Sequence, residues 1–340
     1  MSSPLSDLGL RIPVIAAPMA GGPTTPAMTI AAHRAGGLGF LAAGYKTPEA
    51  VEADLRAVHD AGVPFGINVF APNPVPITAT RYAEYALAVQ READRFGLSL
   101  PDTPIDSDDD FDAKIELLRA HPVPIVSFTF GIPRVDVIRG LHRAGSVVVQ
   151  TVTSPGEAEQ AAAAGVDVLT VQASVAGGHS GTLTPDSPPP ARPLDELVAE
   201  IVTSIGLPVI AAGGLATAAD VATVLHAGAD AVAVGTVLLL ADESGASTTH
   251  QGALEDPART ETVVTRAFTG RPARALRNSF IDSHDASAPS GYPAIHFLTS
   301  PLRKAAAAAG ESDLVHLWAG TGYRHARRAP TAEILADLVP

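Results

Sequence analysis

The segment Ala164–Gly181 reads AGVDVLTVQASVAGGHSG and combines the features that predict the fold. An Ala-Gly pair ends a helix-like stretch, a short apolar run follows, and Gln172 leads into a glycine pair and His179. Glycine tolerates the left-handed conformation that closes a helix, so this junction predicts a helix end, a short loop and a strand. In a barrel of alternating strands and helices, chemistry collects at the carboxyl ends of the strands, where His179 would lie. A histidine on a solvated turn is the alternative interpretation.

The same junction recurs along the chain, at Gly36, Gly62, Gly145, Gly165, Gly206 and Gly228. The apolar runs that follow are short and do not alternate with polar residues, which is typical of strands buried on both faces of a parallel sheet. The predicted strands are Pro13–Ala17, Leu38–Ala42, Phe65–Phe70, Pro124–Phe128, Ser146–Val152, Asp167–Gln172, Pro208–Ala212 and Ala229–Val234. Eight such units predict an α/β protein of the TIM (β/α)8 barrel type. A doubly wound open sheet would usually have fewer strands and a GxGxxG near the first turn.

Helices are predicted between these strands, with Thr47, Ser154 and Thr217 as N-caps. Their predicted ranges are Pro26–Ala35, Pro48–Ala61, Asp112–Arg119, Pro133–Ala144, Pro155–Ala164, Leu194–Ile205 and Ala218–Ala227. Thr80–Phe96 predicts an inserted helix after the third strand. The acidic run Asp106–Asp110 that follows is predicted to be a solvated loop, because an EF-hand would need Gly at Phe111 and Glu at Leu117.

Two further segments exceed the minimal barrel unit. Thr182–Pro193 is rich in Pro, Ser and Thr and follows His179, so it is either a mobile flap over the pocket or a plain connector. We assign residues 1–240 to the barrel and residues 241–340 to a C-terminal helical extension, with helices over Ala258–Thr265 and near Pro301–Ala309. The extension would pack on one barrel face or form the contact of a homodimer, and the sequence does not choose between them.

Composition limits the classes of function. The 340 residues have a mean hydropathy of +0.20, which suits a large apolar core, and a net charge of −13, which disfavours nucleic acid and anionic membranes as partners. The absence of cysteine excludes disulfides, Cys-ligated metals and thiolate catalysis. Neither a signal-peptide pattern nor an apolar run long enough for a membrane span is present, so a cytoplasmic protein is expected.

Glycines follow the last two predicted strands. Gly213-Gly214 comes after the seventh strand and Gly235-Thr236 after the eighth. In (β/α)8 barrels these two loops often form a phosphate site, because glycine lets backbone N–H groups approach the phosphate oxygens. Ordinary tight turns are the alternative. The chain order of the two loops favours the phosphate site.

Polar residues interrupt two apolar strands, and a fixed turn follows a third. Asn68 and Gln172 need hydrogen-bond partners if they are buried, which either a heteroaromatic ring or a structural polar network would supply. Pro18-Met19 follows the first strand and suits an apolar lid over a flat ring, with core filling as the alternative. The eleven histidines are scattered without metal-ligand spacing, so no metal site is predicted.

Several segments together resemble the nitronate monooxygenases. They are AAPMAGG, AGGLGFLAAGY, GINVF, VQASVAGGHSG, AAGGLAT and AVGTVLL, in the family's order across most of residues 12–240. The resemblance implies an FMN-dependent barrel that oxidises alkyl nitronates with O2 to a carbonyl compound and nitrite. It implies that His179 is catalytic and that FMN is contacted by Pro18, Met19, Ala20, Asn68, Gln172, Gly177, Gly178, Gly213, Gly214, Gly235 and Thr236. His179 would take a carbon-bound proton when neutral and hold an anionic nitronate when protonated.

Three positions depart from the family's pattern. Val175 stands where the family often has Glu, Ser180 where it has Arg, and Thr321 where it has Gln. The loss of charge beside His179 suggests a bulkier or less polar substrate. A flavin-dependent enoyl-acyl-carrier-protein reductase and a non-catalytic flavin-binding protein are the competing interpretations.

Overall fold

A closed barrel of eight parallel strands forms the centre of the computed structural model, which describes residues 10–340. The barrel strands are β1 (Val14–Ala16), β2 (Leu38–Ala42), β3 (Gly66–Ala71), β4 (Ile125–Phe130), β5 (Val147–Val152), β6 (Val168–Gln172), β8 (Val209–Ala212) and β9 (Ala231–Val234). β7 is the two-residue strand Gly178–His179, which lies outside the barrel. Pairing of β1 with β9, in which Val14 lies opposite Val232, closes the sheet. The predicted fold class and all eight predicted strands are confirmed.

Helices surround the barrel. They are α1 (Pro26–Arg34), α2 (Pro48–His59), α4 (Phe111–Ala120), α5 (Val135–Arg143), α6 (Pro155–Ala164), α7 (Leu194–Ile205) and α8 (Ala218–His226). Thr47, Ser154 and Thr217 are N-caps as predicted, and each side chain accepts a hydrogen bond from the third residue beyond it. The inserted helix after β3 is α3 (Ala79–Asp94), which confirms that prediction too.

The core explains why the strands are so uniformly apolar. Phe40, Ile125, Val149 and Ile210 pack together from four different strands in one buried cluster. A larger cluster joins the barrel strands to the surrounding helices. Burying a Val, Leu, Ile or Phe side chain contributes roughly 1.5–3 kcal/mol each, so a strand apolar on both sides is favoured at this position.

The C-terminal extension over residues 241–340, called the tail below, differs from the prediction in two places. The predicted helix Ala258–Thr265 is wrong, because Thr262–Thr265 is a strand, β10, paired antiparallel with β11 (Ala273–Leu276). The β-branched run TVVT suits a strand, and α9 (Thr248–Glu255) ends before it. The predicted helix near Pro301–Ala309 begins earlier, as α11 (Ala294–Ala309) with Pro301 inside it.

The tail and the inserted helix share a second core. Tyr82 and Tyr85 of α3 pack in one buried cluster with Phe268, Phe280 and Leu298 from the tail. The tail also contains α10 (Ser279–His284) and α12 (Thr331–Ala336), and Leu335 of α12 belongs to the core of the barrel and its helices. A domain boundary at residue 240 stays a prediction. None of the helices in residues 10–340 combines the length and the apolar character needed to cross a bilayer.

Candidate active site

A cavity of about 890 Å³ lies at the carboxyl ends of the barrel strands. Strand-end residues from around the barrel line it, from Ala17 after β1 to Gly235 after β9. Every site residue predicted from the sequence lies on its wall, namely Pro18, Met19, Ala20, Asn68, Gln172, Gly177, Gly178, His179, Gly213, Gly214, Gly235 and Thr236. The barrel therefore brings together residues that are more than two hundred positions apart in the sequence.

The glycine loops after β8 and β9 offer unpaired backbone donors to this cavity. Gly213 and Gly214 have φ values of +107° and +76°, which side-chain-bearing residues rarely adopt. Within residues 10–340, the N–H groups of Gly213, Gly214, Gly235 and Thr236 donate to no backbone carbonyl. Buried N–H groups are nearly always paired, so four on one cavity wall fit an anionic ligand such as a phosphate.

Close approach, as well as conformation, requires glycine beside these loops. A Cβ on Gly177 would lie 2.5 Å from the backbone nitrogen of Gly320, and one on Gly213 would lie 3.0 Å from the Ala176 Cβ. A Cβ on Gly235 would lie 3.3 Å from the Met19 sulfur. The glycines thus allow the loops of residues 173–177, 213–214 and 320–322 to meet at one end of the cavity.

Asn68 is held by its strand neighbours. Its side-chain Nδ2 donates to the Ser127 carbonyl at 3.3 Å, the Ser127 hydroxyl at 2.9 Å and the Thr129 hydroxyl at 3.0 Å. This is the structural polar network that the sequence left open as the alternative. Because a carbonyl oxygen can only accept, the hydrogen bond to the Ser127 carbonyl identifies Nδ2 of Asn68. The other end of the Asn68 amide, Oδ1, is therefore the free end on the cavity wall.

Both ends of the Gln172 side-chain amide form hydrogen bonds with the histidine loop, residues 179–182. Its Nε2 donates to the His179 carbonyl at 3.2 Å, and its Oε1 accepts from the Gly181 N–H at 2.7 Å. The end of β6 thereby fixes the loop that carries His179. Gln172 still borders the cavity, but its polar atoms act first on the protein itself.

His179 lies on β7, which pairs with β11 so that His179 is opposite Ala273. Its Nε2 is 3.0 Å from the Thr269 hydroxyl, which in turn donates to the Arg271 carbonyl at 3.3 Å. With the Thr269 proton directed to the Arg271 carbonyl, Nε2 would be the protonated nitrogen of the ring and Nδ1 would carry the lone pair. The ring also lies 5.3 Å from Trp318, in an aromatic wall completed by Phe130 and Tyr292.

The surroundings keep the His179 ring neutral. Burial and then the positive charges of Arg271 and Arg303 lower the pKa of His179 to about 3, from an ordinary value of 6.5. A histidine is neutral above its pKa, so the ring carries no charge at neutral pH. The ring therefore lacks the positive charge that the expected nitronate-holding role of His179 requires, and Arg303 is the buried cation on the cavity wall.

The residues around the cavity that the sequence did not reveal come from the tail and from the loop after β2. They are Tyr45, Arg271, Tyr292, His296, Arg303 and Trp318. Tyr45 stacks on His296 with a centroid distance of 4.1 Å, and its hydroxyl is 3.3 Å from that of Tyr292. Arg303 is buried and donates to the His296 carbonyl at 2.9 Å. No local sequence pattern marks these residues, since each reaches the site through contacts distant in the chain.

Thr182–Pro193 behaves as a connector. None of its residues lines the cavity. Thr182 is fully buried, and its hydroxyl donates to the Glu157 carboxylate at 2.6 Å. In this structure the segment does not cover the cavity, and segments of the tail line it instead.

The family departures also lie off the cavity wall. Val175, Ser180 and Thr321 are absent from the cavity lining, and Val175 accepts a backbone hydrogen bond from Thr321 at 3.2 Å. They therefore give no support to a bulkier or less polar substrate.

The acidic loop Asp106–Asp110 holds no metal-binding group of side chains within the described residues, and Asp109 instead pairs with the buried Lys114 at 2.7 Å.

The closed parallel barrel and the cavity at its strand ends define the class as a (β/α)8 barrel protein with a site where such enzymes have theirs. Comparison with known proteins gives the family. The nitronate monooxygenase family model matches residues 2–340. A probable nitronate monooxygenase of Staphylococcus aureus (strain MRSA252) is 34% identical over 337 residues, covering 98% of this chain and 94% of that relative.

Solved structures of similar proteins share this fold. A nitroalkane oxidase from Streptomyces ansochromogenes superposes with a TM-score of 0.93 and 43% identity, over 99% of this chain and 96% of that one. FabK from Thermotoga maritima superposes with a TM-score of 0.76 at 24% identity, over 100% of this chain and 95% of that one, which shows a shared fold. The chain belongs to the nitronate monooxygenase family. It is accordingly an oxidoreductase and flavoenzyme that acts on nitro compounds.

Proposed function

We propose that this enzyme uses FMN and O2 to oxidise alkyl nitronates to a carbonyl compound and nitrite. The observation that carries the proposal is the set of unpaired N–H groups on the loops after β8 and β9. They form a donor set for a single terminal phosphate, which FMN has and riboflavin lacks. Family membership supports the flavin, and the donor set supports the mononucleotide.

The remaining predicted contacts suit a flat heteroaromatic ring. The free Oδ1 of Asn68 can accept a hydrogen bond, while Pro18, Met19 and Ala20 form one rim of the cavity. Met19 is fixed there because its backbone N–H donates to the Thr24 hydroxyl at 2.8 Å. Gly177 and Gly178 leave room beside His179. When bound, the flavin supplies the electron transfer from nitronate to O2, and the protein binds and orients the reactants.

His179 would act as a neutral base. Its Nδ1 lone pair can take the acidic carbon-bound proton of a nitroalkane, while Thr269 holds Nε2 and sets the ring orientation. For a substrate that is already a nitronate, no proton needs to be removed. The buried guanidinium of Arg303, which lines the cavity, then offsets the negative charge of the nitronate oxygens.

The flavin content and the nitronate reaction test the proposal together. The purified protein should show a flavin absorption spectrum, and acid extraction should release FMN and neither FAD nor riboflavin. Anaerobic addition of ethyl nitronate or propionate 3-nitronate should bleach the spectrum, and O2 should restore it with formation of nitrite. A colourless protein that takes up no added FMN would refute the cofactor assignment.

The same spectroscopic experiment distinguishes the two competing interpretations, a reductase and a non-catalytic flavin-binding protein. Anaerobic addition of NADH or NADPH in place of the nitronate is the matched control. Rapid bleaching by the nicotinamide with no reaction towards nitronates would indicate a reductase. A flavin that stays oxidised with every nitronate and with both nicotinamides would indicate a non-catalytic flavin-binding protein.

A further inference from the structure

Arg271 is a fully buried cation beside the histidine loop. It has 0% exposure and directly precedes β11, the strand that pairs with β7. Pro272, the next residue, accepts a backbone hydrogen bond from Ser180 at 2.8 Å. The turn before it needs glycine, since Gly270 has a φ of +73° and a Cβ there would lie 2.9 Å from the Gly291 backbone. The backbone thus places Arg271 opposite the residues that follow His179.

The Arg271 side chain holds this loop by its carbonyls. Its Nε donates to the Ser180 carbonyl at 3.3 Å, and its Nη2 donates to the Thr182 carbonyl. The guanidinium also lies 4.2 Å from the centroid of the Phe130 ring, which is part of the wall around His179. A planar fork is the group best suited to bond two carbonyls and stack on an aromatic ring at once.

The charge of Arg271 lacks a direct counter-charge. Within the described residues no carboxylate lies within ion-pair distance of it, and its buried Nη1 has no hydrogen-bond partner. Glu157 and Asp186 are its acidic neighbours at longer range, and Tyr45 and Tyr292 also face it. Burying a cation without a paired anion is costly, so a neutral residue would be expected here if only packing mattered.

We propose that Arg271 is a positioning residue for His179, whose guanidinium fixes the histidine loop and places a positive charge beside the imidazole. The backbone completes the arrangement, because the Arg271 carbonyl accepts the Thr269 proton and thereby orients the hydroxyl against Nε2. The proposal rests on the role of His179 as a neutral base in the proposed function.

Electrostatics around the ring agree with this assignment. After burial, Arg271 is the largest cause that lowers the pKa of His179, and Arg303 of α11 is the next. The other titratable groups that face the ring are Tyr292, His296 and His316. Burial lowers the pKa values of both histidines well below the ordinary range, so Arg271 and Arg303 are the charged neighbours.

The test compares Arg271→Gln, Arg271→Lys and the control Arg274→Gln. Arg274 lies on β11, just beyond Arg271, and also donates to a loop carbonyl, that of Ser174 at 2.9 Å, but it does not contribute to the pKa of His179. The readout is an NMR titration of ¹⁵N-histidine in the purified protein, in which the His179→Asn variant assigns the signal. This titration needs no turnover, so it is separate from any failure of the nitronate activity.

At the lowest pH at which circular dichroism shows the wild type and Arg271→Gln both folded, Arg271→Gln should raise the ratio of protonated to neutral His179 about tenfold, the effect of a nearby unit charge. Arg271→Lys should leave this ratio unchanged but lower kcat, because an ammonium cannot bond both carbonyls in the geometry of the fork. Arg274→Gln should leave the ratio unchanged. An unchanged ratio in folded Arg271→Gln, or a wild-type kcat in Arg271→Lys, would overturn the proposal.

Discussion

A neutral histidine beside two buried arginines separates two tasks that a single imidazolium would combine. His179 keeps a lone pair, while Arg271 and Arg303 carry positive charge. Burial lowers the pKa values of all three side chains, but those of the arginines fall only to about 10, so the guanidiniums stay charged at neutral pH while the imidazole does not. A base with a low pKa is weak, so we expect nitronates to be better substrates than their neutral nitroalkanes.

Replacing His179 tests the residue directly. The variant His179→Asn keeps a polar side chain of similar reach, so we expect the flavin content to stay at the wild-type level. Turnover with neutral nitroalkanes should fall by about 10²–10⁴-fold, the usual contribution of a positioned general base. Steady-state assays of the wild type and the variant at matched flavin content would measure this fall.

A comparison of substrates sharpens this prediction. The loss should be smaller with a preformed nitronate, from which no proton is removed. Equal losses with the nitroalkane and its nitronate would contradict a role in proton abstraction and leave only a role in binding.

The loop after β8 allows a prediction about one element. Gly213→Ala would place a Cβ 3.0 Å from the Ala176 Cβ and 3.1 Å from the Ala173 carbonyl, at a φ of +107°. The loop must move to relieve these contacts, which would shift its N–H donors. Hydrogen bonds to a charged group are each worth about 1.5–3 kcal/mol, so the affinity for FMN should fall about tenfold or more.

Gly206→Ala is the matched control for that measurement. Gly206 also has a positive φ, +71°, but it ends α7 and has open space where a Cβ would be. Both variants should lose about 1–2 kcal/mol of stability from the left-handed conformation, and only Gly213→Ala should lose flavin affinity. Fluorescence titration of the deflavinated proteins with FMN distinguishes the two, and equal affinities would argue against a phosphate site at this loop.

Sequence reasoning works best where one element carries its own signal. The barrel strands are apolar on both faces and follow a glycine-ended helix, so Val168–Gln172 and its counterparts are found from local pattern alone. The predicted helix Ala258–Thr265 is wrong because the strand Thr262–Thr265 depends on its pairing with Ala273–Leu276, which lies outside the local sequence. For the same reason, Arg271 and Arg303 reach the site without any pattern that predicts their role.

Several histidines with lowered pKa values give the whole molecule a pH-dependent stability. Burial lowers the pKa of His179 to about 3 and that of His250 to about 4, and it lowers those of His296 and His316 well below their ordinary value. In the unfolded chain these rings bind protons near pH 6.5, so acid favours unfolding. Stability should therefore be full above about pH 6.5 and fall below it, by up to about 1.4 kcal/mol per pH unit for each histidine.

Denaturant unfolding between pH 7.5 and pH 5 measures this slope. The variant His250→Gln removes one of the four rings and should make the dependence on pH shallower by about one histidine's share. A stability that is flat between pH 6.5 and pH 5 would show that the rings accept protons in the folded protein.

The second core has a consequence for how the enzyme could change. The glycine loops belong to the barrel, whereas His296, Arg303 and Trp318 belong to the tail that lines the same cavity. Exchanging a segment such as α11 with that of a relative would change this part of the wall and leave the glycine loops, with their neighbour Gly320, as they are. Substrate preference could then diverge while the proposed cofactor contacts stay in place.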